Sequence, residues 1–94
     1  MTNNYEKLNG YLEHLFRDMK NAIEWAATHM VDDTRTEKID WTLWALEQAE
    51  AKGYGALAFS RDADLVTKDE YDSLGDKLND AYFEFRRIVW ERIK

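Results

Sequence analysis

Proline is absent from all 94 residues of this chain, and glycine occurs only four times. A backbone with so few breakers favours long uninterrupted helices over a turn-rich β fold. The residues are 45% apolar, enough for a real core, and the length suits one domain spanning residues 1–94 rather than two separate cores.

Helical periodicity then places the elements at about 100° of rotation per residue. Leu8, Leu12, Leu15, Met19, Ile23, Ala26 and Met30 follow one another at steps of three or four. They predict a first helix from about Asn4 to Met30, flanked by Tyr5 and Phe16. Glu6, Glu13, Arg17, Lys20 and Glu24 fall mostly off that stripe, as a solvated face requires. Gly10 stands inside the pattern at a cost of about 1 kcal/mol relative to Ala.

The pattern breaks at residues 31–36. Thr34 with Glu37 three residues on is a capping-box signature. A second helix is predicted from Arg35 to Lys52, ended by Gly53, a usual residue just past a helix end. Ile39, Leu43 and Leu46 form one stripe, while Trp41, Trp44, Ala45 and Ala51 lie mostly on the other side. Such a helix is central in its fold or has one side in an interface. Residues 53–66 are expected to form a short connector helix, since no second strand is visible to pair with an extended segment.

Thr67 and Glu70 form a second capping box, with Val66 and Tyr71 at the positions of a hydrophobic staple. Tyr71, Leu74, Leu78, Ala81, Tyr82, Phe85, Ile88 and Val89 then hold one stripe. Arg86, Arg87, Arg92 and Lys94 crowd the last turns, where cations favour the helix dipole. The first and last helices would each run roughly 40 Å at 1.5 Å per residue, longer than a compact small domain is wide. The expectation is an all-α, elongated antiparallel bundle of three main helices plus the connector helix, or a dimer formed through overhanging stripes.

Several kinds of chemistry lack their residues. There is no cysteine, hence no disulfide and no thiolate metal site. His14 and His29 stand fifteen apart and form neither Glu-x-x-His nor His-x-x-x-His pairs, so no metal site is expected. Asp62 and Asp64 resemble the opening of a calcium loop, but Val66, Thr67 and Ser73 occupy positions that need a ligand, a glycine and a glutamate. No nucleophile elbow or phosphate-cradling loop is present, and Glu47 and Glu50 are an ordinary pair on an acidic helix. The chain is therefore expected to be no enzyme and to need no cofactor. No apolar run approaches a membrane span, and the N-terminus lacks a secretory pattern, so a cytoplasmic protein with no membrane contact is expected.

The net charge is −6, which disfavours direct nucleic-acid binding and favours a basic protein partner. Asp69, Asp72, Asp76 and Asp80 step by three, four and four, opposite the apolar stripe of the last helix, and Glu84 extends the row. Like charges so spaced destabilise a helix by a few tenths of a kcal/mol per pair, so the row has a cost. Aromatic residues make up 14% of the chain. Trp41 and Trp44 lie off the Ile39–Leu43 stripe, and Phe83 and Trp90 lie seven apart on one line. Exposed, these four would anchor a partner or a homodimer.

At the level of class, this short acidic helical chain with its Asp69–Asp80 stripe resembles small inhibitor proteins of phages and other mobile elements, among them anti-CRISPR and anti-restriction proteins. That resemblance implies an inhibitor of a larger basic nucleic-acid-processing protein, possible DNA mimicry included. A self-associating helical module and an immunity or antitoxin protein are the alternatives.

Overall fold

The computed structural model describes residues 3–94, and among them all regular structure is helical. Three helices pack together: α1 (Asn3–His29), α2 (Arg35–Asp62) and α3 (Lys68–Arg92). The molecule measures 47 × 18 × 17 Å with a radius of gyration of 14.9 Å, where a compact chain of this length would have about 12 Å. It is a rod one long helix in length.

Both capping boxes form. The Thr34 hydroxyl accepts from the Glu37 N–H at 3.1 Å, and the Thr67 hydroxyl accepts from the Glu70 N–H at 3.1 Å. In return, the Glu37 and Glu70 carboxylates accept from the Thr34 and Thr67 N–H groups at 3.3 and 2.9 Å. Each box satisfies donors that an uncapped first turn would leave open.

The helix expected to stop at Gly53 does not stop there. α2 continues through Gly53 and Gly55 to Asp62, so residues 53–62 are its last turns and the separate connector helix does not exist. Each interior glycine costs about 1 kcal/mol in helix propensity, but stopping early would leave Leu57, 1% exposed, outside the core. Burying such a side chain is worth about 1.5–3 kcal/mol. Gly53 itself lies buried where α2 meets Leu78 of α3 and Leu12 of α1. The true stop is at residues 63–65. Asp64 adopts φ 59°, its N–H donates to the Arg61 carbonyl at 3.1 Å, and the Leu65 N–H donates to the Ser60 carbonyl at 2.8 Å. This is a Schellman ending with aspartate where glycine is usual.

Leu8, Leu12, Leu15, Met19, Ile23 and Ala26 of α1 meet Ile39, Leu46, Ala49 and Leu57 of α2 and Leu74, Leu78, Tyr82 and Val89 of α3 in one core. Val66 is buried and Tyr71 packs against the core, as the staple requires. Thr42 is fully buried, and its hydroxyl is satisfied by the Lys38 carbonyl at 2.6 Å. Gly10 is exposed, and a Cβ there would meet nothing within 4 Å, so close packing does not explain it.

Cross-helix contacts set the register. Trp25 stands against Trp41, with ring centroids 5.1 Å apart. Arg35 donates to the carbonyls of Trp90 at 3.2 Å and Ile93 at 3.1 Å. Arg92 pairs with Glu24 at 3.1 Å, and Lys77 bridges Asn9, at 2.7 Å, and Glu13. One end of the rod therefore holds the end of α1, the start of α2 and the end of α3.

Candidate functional site

The helical period carries Asp69, Asp72, Asp76 and Asp80 to the outer face of α3, and all four are exposed. Asp72 accepts from Lys68 at 2.7 Å. Asp69, Asp76 and Asp80 form no ion pair with any described residue. Glu84, which extends the row in sequence, is held by Arg87, whose Nε lies 3.1 Å from its carboxylate. Hydrogen bonding from that guanidinium keeps the Glu84 carboxyl below its usual range. The uncompensated part of the row therefore ends at Asp80.

The aromatic candidates divide. Trp44, Phe83 and Trp90 are about half exposed, at 55, 55 and 50%. Trp90 lies under the Arg35 guanidinium, 5.6 Å from its ring centre. Trp41 is half-buried and packs on the core edge, with Trp25 across the α1–α2 seam. Trp25, which the sequence pattern did not single out, is 47% exposed and stacks on His29 at 5.5 Å. Its signal was the i, i+4 spacing of Trp25 and His29, on a line beside the core stripe.

Asp69, Asp76, Phe83 and Trp90 follow one another at intervals of seven, so they drift only about 20° per step around the helix. They make one line about 32 Å long at 1.5 Å per residue. Two carboxylates occupy the half of that line beside the start of α1, and two aromatic rings the half beside the start of α2. The aspartate row and the aromatic group are neighbouring zones of one face.

A groove of about 480 Å³ opens on the seam between α2 and α3 beside the row. Tyr54, Leu57, Tyr71, Asp72, Gly75, Asp76 and Asn79 line it. Burial first, then the negative charge of nearby carboxylates, Glu50 and Asp76 among them, pushes the Tyr54 phenol above its usual value. The sequence pattern does not show this groove, because it ends α2 before Tyr54. Elsewhere, Asp64 pairs with Arg61 at 3.4 Å as part of the α2 ending, and no three His, Asp or Glu side chains among the described residues converge as a metal site. Among the described residues no helix is long and apolar enough to cross a membrane.

No protein-family model, curated protein or solved structure matches this chain.

Proposed function

We propose that this chain is a small acidic binding protein of the phage or mobile-element type, which inhibits a larger, basic nucleic-acid-processing protein. The observation that carries the reading is the row Asp69, Asp72, Asp76, Asp80 on one rigid, exposed helix face, with three of the four carboxylates forming no ion pair with any described residue. An antiparallel, up–down–up order of the helices, supported by the contacts at both ends, keeps that face clear of the other two helices.

Magnitudes narrow how the row acts. Its carboxylates stand about 4.5–6 Å apart along the axis, sparser than duplex phosphates at about 3.4 Å per strand. Such a row does better at steering and orienting a basic groove than at matching phosphates one for one. Phe83 and Trp90, further along the same face, supply apolar anchors where a bound partner excludes water.

The test compares the chain with its D69N/D72N/D76N/D80N variant, whose net charge falls from −6 to −2. Both are immobilised against nuclease-treated bacterial lysate and then against each purified enzyme recovered. A nucleic-acid enzyme should bind the parent chain, lose DNA binding in its presence, and associate at least ~10-fold more slowly with the variant at low salt. Equal association rates for the two chains overturn electrostatic steering. Failure to bind any such enzyme from a lysate known to contain them overturns the inhibitor reading. The exposure of Trp44, Phe83 and Trp90 favours a second reading, a self-associating module. A concentration-dependent dimer that W44A or W90A abolishes and the aspartate variant retains would select it.

A further inference from the structure

We propose that the groove on the α2–α3 seam seats an arginine side chain presented by a basic protein partner; the partner's basic character rests on the functional reading above. The groove is an open depression between two helices that shares Asp72 and Asp76 with the aspartate row and adds aromatic and apolar surface from both helices. Tyr54 reaches it from α2 and Tyr71 from α3, Leu57 contributes an apolar surface, and Asp72, Asp76 and Asn79 form a polar rim. The space over Gly75 is open, since a Cβ built there meets nothing within 4 Å, so a large side chain at that position would occupy the groove.

The groove matches what a guanidinium requires. It is planar, stacks on aromatic faces, and donates forked hydrogen bonds to carboxylates. Two tyrosine rings and two carboxylates one helical turn apart provide both kinds of contact. The side chains of Asp76 and Asn79 make no hydrogen bond to any described residue, while Asp72 already receives one from Lys68 on its Oδ2. The incoming cation therefore meets Asp76 and the Asn79 carbonyl oxygen first, and shares Asp72. The raised Tyr54 phenol stays protonated near neutral pH, so its O–H and its ring face both remain usable. Lysine, a compact and strongly hydrated charge, gains the carboxylates but loses the forked geometry and much of the stacking.

The experiment is an amide-resolved NMR titration of the whole chain with N-acetyl-arginine amide. N-acetyl-lysine amide and N-acetyl-glycine amide serve as controls at matched ionic strength. The proposal expects saturable shifts centred on Tyr54, Tyr71, Gly75, Asp76 and Asn79, at least ~3-fold weaker binding of the lysine probe, and none of the glycine probe. Gly75→Leu, which fills the groove, should abolish the shifts, and Gly10→Leu, the same change at an open position on α1, should preserve them. Should Gly75→Leu fold poorly by circular dichroism, Asp76→Asn decides instead, with an expected loss of at least ~3-fold in affinity. Shifts spread evenly over Asp69, Asp80 and the groove would reveal charge screening alone and overturn the site, as would arginine shifts that survive both groove variants. No enzyme partner enters this assay, so arginine binding can stand while the inhibitor reading fails, and the reverse.

Discussion

Gly53→Ala offers a quantitative test of how closely the helices approach, with Gly55→Ala as its internal control. The two glycines are two residues apart in the same helix, so the propensity gain on replacing either is the same, about 1 kcal/mol. Their surroundings differ. A Cβ at Gly55 meets nothing within 4 Å. At Gly53 it would stand 2.7 Å from Leu78 Cδ2, 3.1 Å from Leu78 Cδ1 and 3.3 Å from Leu12 Cδ2. Both leucines are wholly buried, and rotating Leu78 about its last bond moves its second methyl into the same space. Overpacking of this kind costs about 1–3 kcal/mol. The net result is Gly55→Ala stabilising by about 1 kcal/mol, and Gly53→Ala ranging from neutral to about 2 kcal/mol destabilising. In a chain of this size 1 kcal/mol moves Tm by about 4–8 °C, so the two melts, followed by far-ultraviolet circular dichroism, should differ by about 10 °C. Leu78→Ala removes the colliding methyls, so in that background Gly53→Ala should turn stabilising. Equal melting temperatures for the two single variants would refute a close crossing at Gly53.

Three further outcomes follow from the same structure. Asp64→Gly should raise stability by about 1 kcal/mol in urea unfolding, because aspartate now holds the left-handed φ of 59° that glycine adopts without strain. Thr67→Ala should lose about 1 kcal/mol by the same measurement, since its hydroxyl caps the Glu70 N–H, and Thr67→Ser should recover most of it. Burial, then the nearby Glu47 carboxylate, raises the Glu50 carboxyl above its usual value despite Arg86. A raised carboxyl favours folding while protonated and loses that contribution as pH rises through its folded value. Glu50→Gln should therefore melt higher than the parent at pH 7, with the difference gone once pH falls below the ordinary glutamate range; a constant difference across that span would refute the assignment.

Much of the candidate surface was legible in the residue pattern. Asp69, Asp72, Asp76 and Asp80 could be assigned to an outer face because helical spacing alone separates them from Leu74 and Leu78. Phe83 and Trp90 follow from the same arithmetic. Trp41 and Trp44 do not, because α2 is flanked by α1 and α3, and a residue off its main stripe can still face a neighbour. Trp41 does so, packing on the core edge and Trp25, and Trp44 does not. The groove was invisible, since Tyr54 and Tyr71 belong to different helices whose register only packing sets.

By itself the sequence determined the helical class, both capping boxes, the apolar stripes of α1 and α3 and the acidic face of α3, and of the α2 stripe only Ile39 and Leu46 as buried positions. All of these rest on interactions within four or five residues, or on a period that every helix shares. Only the tertiary structure decided where α2 ends. Locally, Gly53 and Gly55 argue for a stop and Asp64 gives a weak one. What carries the helix onward is Leu57, which reaches the core only if the helix continues, while Gly53 lets the helix pass close to Leu12 and Leu78. Burial between distant segments outweighed local propensity there, and with that extension came the second wall of the groove.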